Sequence, residues 1–230
     1  MKAGTAVFFM NTFAFVDASN LFYGGAKSLG WKIDYQKLIA YLRQKYQASR
    51  VLYFGGVELH GFPYDYLTHD TVPLEQLAEY LTQYIREQGN KLDEAHLVLL
   101  SRHVQRVKFY HRLKSFGYET YLKPVKLHEQ DDGTTKRKAH CDVEMAFYLM
   151  KERSGFDRAV ILSGDGDFLP VLKYLKLQGK EIYILARGHR TAREVRRFAG
   201  GNFRDFVRLE KHLKFQEHKK DGHAKYPPYV

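Results

Sequence analysis

Short apolar runs alternate along the chain with longer segments in which apolar residues recur every three or four positions. Residues 13–16 and 159–162 are apolar throughout, which is typical of strands buried on both faces of a sheet. Further strands are predicted at residues 50–57, 118–123, 181–186 and 203–209. Helices are predicted at residues 34–46, 73–88, 104–116, 139–153 and 191–198, and residues 125–138 are expected to form a charged loop. This alternation predicts an α/β protein, a three-layer α/β/α sandwich around a mainly parallel sheet.

The length and the start of the chain favour a single domain. The 230 residues suit one large domain, which we expect over residues 1–210, followed by a charged, proline-containing and flexible tail at 211–230. Asn11 and Thr12 interrupt the apolar N-terminal stretch, which favours a first strand over a signal peptide, and no stretch is long enough to span a membrane. The single cysteine, Cys141, excludes an internal disulfide framework and a multi-cysteine zinc site, and it fits a reducing, cytoplasmic location.

Acidic residues follow two of the predicted strands directly. Asp165 and Asp167 lie in the turn after residues 159–162, and Asp17 follows residues 13–16. Because parallel strands end at one edge of the sheet, we expect these carboxylates to share one site. Carboxylates held close together raise each other's pKa unless a cation lies between them, and Mg²⁺ or Mn²⁺ prefers such oxygens. The alternative for Asp165 and Asp167 is a solvated turn, since Asp and Gly are common turn residues.

A third acidic element lies at the start of the predicted helix after residue 138. Asp142 is in helical register with the apolar positions Met145, Ala146 and Leu149. It therefore either caps the start of the helix or points into a metal site. Glu144 lies about 200° further around the helix and is expected to face elsewhere.

Basic residues outnumber acidic ones, 37 to 26, which gives a net charge of +11. A basic protein with an acidic, metal-loaded pocket suits a nucleic-acid partner, although a basic surface can also serve solubility alone. The aromatic residues Phe22, Tyr23 and Trp31 could stack on unpaired bases, with core packing as the alternative. The candidates for contacting a phosphate backbone, with a plain solvated face as their alternative, are Lys136, Arg137, Lys138, Arg190, Arg193, Arg196 and Arg197.

Three motifs in the chain resemble the signatures of a known family. These are Phe15-Val-Asp-Ala-Ser-Asn-Leu21, Lys138-Ala-His-Cys-Asp-Val143 and Leu162-Ser-Gly-Asp-Gly-Asp-Phe-Leu-Pro170. They are similar to the motifs of NYN domains, the LabA-like branch of the PIN-domain nuclease superfamily. The resemblance covers residues 12–210, leaving out the loop at 58–70 and the tail after 210.

The resemblance implies a PIN-like, Rossmannoid fold, an acidic Mg²⁺ or Mn²⁺ site and, for many members, ribonuclease activity. Asn20 and Ser163 would position substrate or water. Tyr148 stands where the family often has a second acid. By position, the acidic site would consist of Asp17, Asp142, Asp165 and Asp167.

The function expected from these observations is metal-dependent hydrolysis of RNA phosphodiester bonds, by an endoribonuclease. The alternative is a catalytically weak or inactive module that binds RNA or recruits a partner and retains the metal site. This alternative stands because Tyr148 replaces an acid that the family often has at that position. A dinucleotide enzyme is disfavoured because no glycine fingerprint follows the first strand. The sequence is also compatible with a homodimer.

Overall fold

A computed structural model describes residues 10–24, 30–129, 135–138 and 141–216. Six strands form a central sheet in which every neighbouring pair is parallel. The strands of this sheet are β1 (Thr12–Asp17), β2 (Ala48–Val57), β3 (Glu119–Pro124), β6 (Arg158–Leu162), β7 (Glu181–Ala186) and β8 (Phe203–Asp205). Their order across the sheet is β3-β2-β1-β6-β7-β8, so the carboxyl ends of all six meet at one edge.

Helices cover both faces of this sheet. Their bounds are α1 (Ala18–Gly24), α2 (Tyr35–Tyr46), α3 (Leu74–Gln88), α4 (Glu94–Phe116), α5 (Asp142–Lys151), α6 (Leu169–Leu177), α7 (Arg193–Ala199) and α8 (Glu210–Leu213). The predicted cap of α2 is confirmed, because the Asp34 carboxylate accepts hydrogen bonds from the backbone N–H groups of Gln36 and Lys37. No helix in the described ranges is long and apolar enough to cross a membrane.

Two hydrophobic cores lie on opposite faces of the sheet. Successive residues of a strand point to opposite faces, so Ala14 and Val16 of β1 pack into one core while Phe13 and Phe15 pack into the other. The first core includes the buried faces of α2, α3 and α4, and the second those of α5, α6 and α7. The predicted three-layer α/β/α sandwich is therefore confirmed.

Residues 125–138, predicted as a loop, contain an antiparallel ribbon of two short strands. The ribbon pairs β4 (Lys126–Glu129) with β5 (Thr135–Lys138). Periodicity alone missed these strands because each is only four residues long and strongly charged. The ribbon extends the chain beyond the carboxyl end of β3, on the same side of the sheet as the acidic turns.

The segment expected to begin a flexible tail packs against the domain as far as residue 216. Leu213 of α8 is buried in the first core, and its carbonyl oxygen accepts a hydrogen bond from the backbone N–H of Asp34 at 2.8 Å. Lys214 forms an isolated antiparallel bridge with Ile33. The predicted boundary at residue 210 thus falls inside a packed segment, and the rest of the predicted tail, residues 217–230, lies outside the described residues.

The loop between β2 and α3 runs along the free side of β3. Leu122 of β3 donates a backbone hydrogen bond to the Thr71 hydroxyl at 2.8 Å and accepts one from the backbone N–H of Val72 at 2.9 Å. The loop therefore crosses the carboxyl edge of the sheet and then covers the outer edge of its end strand.

Candidate active site at the carboxyl edge of the sheet

Asp17, at the end of β1, is hydrogen bonded to the end of β6. Its side chain is buried with 3% exposure, and one carboxylate oxygen accepts a hydrogen bond from the Ser163 hydroxyl at 2.9 Å. The other oxygen accepts hydrogen bonds from the Ser19 hydroxyl at 2.6 Å and the backbone N–H of Asn20 at 3.1 Å. The two motifs, 146 residues apart, thus meet through a direct side-chain contact.

The turn after β6 is held by the same group of residues. The side-chain oxygen of Asn20 accepts a hydrogen bond from the Gly164 backbone N–H at 3.2 Å, and the Ser163 hydroxyl accepts one from the Asp165 N–H at 3.2 Å. Asp165 in turn accepts the N–H of Asp167 at 3.0 Å and so caps the short 3₁₀ turn that follows. Asp165 is half-buried and Asp167 is exposed. Asp165 therefore also has the turn-forming role considered as its alternative.

Helix α7 begins against this turn. The backbone N–H of Ala192 bonds to the Gly164 carbonyl at 3.0 Å, and a β-carbon at position 164 would lie 2.5 Å from the Thr191 hydroxyl, so the approach requires glycine. The Glu194 carboxylate lies beside Gly166, which is the residue between Asp165 and Asp167 in the turn. The helix that carries the predicted arginines is thereby fixed to the acidic turn.

The first turn of α5 carries two further carboxylates, Asp142 and Glu144, directly after the buried Cys141. Burial is the main cause that raises the pKa of the Cys141 thiol, the carboxylates of Glu144, Asp17 and Asp142 contribute to the increase, and the resulting pKa is about 12. Glu144 lies three residues after Cys141, and its carboxylate forms an ion pair with Lys123 of β3. This ion pair joins the start of α5 to β3, one residue before that strand ends. The orientation expected for Glu144 relative to Asp142 stays a prediction.

Tyr148, at the position of the frequent second acid, lies in an aromatic stack. Its ring centroid is 4.0 Å from that of Tyr121 and 5.7 Å from that of Phe54. Burial raises the pKa of its hydroxyl to about 12, with Tyr121 as the next cause. Tyr148 thus serves the second core and supplies no carboxylate.

The sequence profile of the NYN domain family matches residues 66–207, which is more than half of the chain. The chain belongs to the NYN domain family. The family resemblance seen in the motifs is thereby confirmed. The matched segment contains Asp142, Asp165 and Asp167, whereas Asp17 of β1 lies before it.

Similarity to individual proteins is more limited. The low amplitude and bright protein LabA of Synechococcus elongatus is 29% identical over 86 residues, which cover 36% of this chain and 46% of LabA. The chain thus aligns with less than half of that relative's length. A protein of unknown function from Vibrio parahaemolyticus shares the fold, with a TM-score of 0.57, 16% identity, and coverage of 93% of this chain and 99% of that one.

A lower similarity links the chain to the D15 protein of bacteriophage T5, co-crystallized with metal ions. Its TM-score is 0.42 at 16% identity, with coverage of 81% of this chain and 59% of that one. Similarity at this level shows neither the fold nor the activity of the present chain.

The structure describes the side chains of only some of the basic residues that were predicted to contact a phosphate backbone. Arg190, Arg193 and Arg197 are exposed and lie in or just before α7, beside the acidic turn. The backbones of Lys136 and Lys138 lie in β5, while their side chains lie outside the description. Among the proposed stacking residues, Trp31 is buried in the first core, and the side chains of Phe22 and Tyr23 are not among those described.

Arg187 is a candidate that the sequence analysis missed. It directly follows β7 at the carboxyl edge and is buried with 5% exposure. Burial lowers the pKa of its guanidinium group, Arg190 lowers it further, and Asp205 opposes both effects. The criterion that selected Asp17, a polar residue immediately after a buried strand, would also have selected Arg187.

The donor chemistry of the NYN site fits a hard divalent cation. The oxygen groups described there are carboxylates, hydroxyls and an amide, and one oxygen of Glu144 is buried with no hydrogen-bond partner among the described residues. In the ranges that the structure describes, however, no three His, Cys, Asp or Glu side chains are close enough together to hold a metal ion. Binding therefore requires side chains to rotate toward a common centre, and Asp165 and Asp167 have the exposure to do so.

Proposed function

We propose that this NYN domain is a metal-dependent ribonuclease that hydrolyses RNA phosphodiester bonds at the carboxyl edge of its sheet. The observation that carries the proposal is the hydrogen bond between Asp17 and Ser163, which unites two separate acidic motifs in one site. The net charge of +11 supports a polyanionic substrate, because an acidic site on a basic protein suits a nucleic acid gripped through bound cations.

The proposed roles follow from burial and contacts. Asp17 is the buried anchor of the site, and Ser163 and Asn20 position it and the turn that carries Asp165. The proposed catalytic and metal-holding residues are Asp17, Asp142, Asp165 and Asp167. A bound Mg²⁺ or Mn²⁺ would neutralise the charge that develops on the phosphate and would lower the pKa of water.

Basic residues beside the turn would hold the RNA backbone. Arg190, Arg193 and Arg197 are exposed, and the start of α7 contacts the turn that carries Asp165 through the hydrogen bond from Ala192 to Gly164. Guanidinium groups bind phosphate through paired hydrogen bonds, so these residues can orient the strand across the carboxylates. Lys136 and Lys138 are proposed to extend the same contact from the β4–β5 ribbon.

A second candidate function is an RNA-binding or partner-recruiting module with little turnover. It is favoured by Tyr148, because the aromatic stack occupies the position where a further carboxylate would be expected. In this case the acidic site would hold a cation that helps to grip RNA without cleaving it.

The decisive experiment compares Asp165→Asn with Asp157→Asn. Both variants remove one carboxylate charge, but Asp157 lies at the amino end of β6, where it bonds to Asn11. We expect cleavage of a labelled, partly single-stranded RNA in Mn²⁺ or Mg²⁺, none in EDTA, and about a 100-fold or greater loss in Asp165→Asn alone. Mn²⁺ binding measured by calorimetry should weaken in the same variant.

Other outcomes would change the conclusion. Tight RNA binding without cleavage in either metal would establish the module and reject the ribonuclease. Equal loss in both variants would mean that the carboxyl edge has no special role. Cleavage of DNA but not of RNA would show that the substrate is DNA and would reject the ribonuclease.

A further inference from the structure

The loop at residues 58–73 presents exposed apolar side chains at the carboxyl edge of the sheet. Tyr66 is 51% exposed and Leu67 is 96% exposed. The Tyr64 ring lies against Tyr66 at nearly a right angle, with the ring centroids 4.8 Å apart. A half-exposed aromatic ring that a second ring holds in place is a surface that another flat group can contact.

Hydrogen bonds within the loop hold this surface in place. The Tyr64 hydroxyl donates to the carbonyl oxygen of His69 at 2.8 Å. The Asp65 carboxylate accepts hydrogen bonds from the Leu67 N–H at 2.8 Å and from the Thr68 hydroxyl at 3.0 Å. Asp65 is thus engaged in the turn. Long loops with a defined structure of their own commonly serve a function, and a rigid loop loses little entropy on binding.

A cation lies over the exposed ring. The ammonium nitrogen of Lys126, the first residue of β4, is 5.3 Å from the centroid of the Tyr66 ring. In the ribbon, Lys126 is paired in register with Lys138. Because the lysine side chain is long and flexible, it can leave the ring and pair with a phosphate when another group stacks there.

The exposed ring lies on the same edge of the sheet as the acidic site. Asp17 of β1 is in register with Phe54 of β2, which is in register with Tyr121 of β3. These positions span about 10 Å across the sheet, since neighbouring parallel strands lie about 4.8 Å apart. Beyond Tyr121, the chain passes Lys123, the ion-pair partner of Glu144, and reaches Lys126 at the exposed ring.

We propose that Tyr64, Tyr66 and Lys126 form a stacking platform that binds an unpaired base of an RNA strand entering the acidic site. The ring of Tyr66 stacks on the base, Tyr64 fixes the ring, and Lys126 contacts the adjoining phosphate. The combination of one half-exposed aromatic ring and one cation suits a nucleotide, in which a flat base and an anionic phosphate are neighbours. The platform rests on the proposed function only in taking RNA as the ligand.

The test measures binding of a single-stranded RNA carrying the fluorescent base 2-aminopurine to the full chain, at fixed salt and in EDTA, so that cleavage does not contribute. We expect base stacking to quench the fluorescence and Tyr66→Ala to weaken binding about tenfold. Tyr66→Trp should retain the affinity, and Leu67→Ala, which alters the most exposed neighbour in the same loop, should leave it unchanged. Fully double-stranded RNA should bind equally to wild type and Tyr66→Ala.

Each outcome separates the platform from the ribonuclease. If Tyr66→Ala binds the single strand like wild type, the platform is rejected even where Asp165→Asn still abolishes cleavage. If Tyr66→Ala loses single-stranded and double-stranded RNA alike, the ring acts on folding and the platform is also rejected. Selective loss of single-strand affinity in a protein that never cleaves RNA would uphold the platform and reject the ribonuclease. If the wild-type chain has no affinity for RNA, both the platform and the ribonuclease are rejected. The exposed surface would then be interpreted as a contact for a protein partner.

Discussion

The two sides of the carboxyl edge are built in different ways. On the β1–β6 side, polar residues meet within two short motifs, and Asp17, Asn20, Ser163 and Gly164 bond to one another directly. On the β2–β3 side, the polar and aromatic groups come from a long loop, a ribbon and the start of α5. Their main contacts are the Lys123–Glu144 ion pair and the approach of Lys126 to Tyr66.

The difference separates the proposed chemistry from the proposed recognition. Groups that act on a reacting bond must be held precisely, and the hydrogen bonds of the β1–β6 side fix Asp17 and the backbone of the turn that carries Asp165. An aromatic ring and a flexible lysine tolerate more variation, which suits binding to bases of any sequence. Cys141, which directly precedes α5, is buried in the second core.

The largest effect is expected from Asp17→Ala, which breaks the β1–β6 side. The substitution removes the acceptor of three hydrogen bonds and leaves the buried Ser163 hydroxyl without this acceptor. We expect cleavage to disappear and the free energy of unfolding, measured in urea, to fall by about 1–3 kcal/mol.

Asp165→Asn is the matched comparison for this variant. Its side chain is only half-buried, so activity should be lost while the urea midpoint stays close to that of wild type. A stable Asp17→Ala protein that still cleaves RNA would show that the network does not position the site.

A smaller effect is expected from Lys123→Met, which breaks the β2–β3 side. The variant leaves the largely buried Glu144 carboxylate without its cation, and we expect about 1 kcal/mol of destabilisation in urea unfolding. Adding Glu144→Gln should recover most of that loss. If the double variant is no more stable than Lys123→Met, the ion pair does not hold the two elements together.

The smallest effect of a substitution is expected on the reactivity of Cys141. Burial is the main reason that its thiol pKa is raised to about 12, so the thiolate is scarce at pH 8. Reaction with a disulfide reagent should be roughly 100-fold slower in the native protein than in urea. Glu144→Gln and Asp17→Ala should each quicken the native reaction modestly, and Cys141→Ser should give no signal. Equal rates for native and unfolded protein would contradict the assigned burial.

The sequence was sufficient where a feature is local. Strands β1 and β6 are continuous apolar runs followed at once by acids, so periodicity and turn chemistry located both strands and three of the four proposed carboxylates. The cap at Asp34 was equally predictable, because the hydrogen-bonding residues lie within three positions of it.

Features that depend on distant partners were not predictable in this way. Helical geometry alone could not predict the ion pair of Glu144, because its partner Lys123 lies 21 residues earlier in the chain. Leu213 resembles part of a charged tail until α2 is present to cover it. The exposed Tyr66 could not be distinguished from the core tyrosines, because exposure is a property of the folded loop.

The hydrogen bonds between the loop and β3 also bear on the solubility of the protein. An open edge strand exposes unpaired N–H and C=O groups that can join the edge of another molecule. Thr71 and Val72 occupy those groups at Leu122, and the opposite edge strand, β8, is only three residues long. A variant that deletes the loop would therefore lose the proposed RNA platform and gain an edge prone to aggregation, whereas a point substitution at Tyr66 leaves that edge protected.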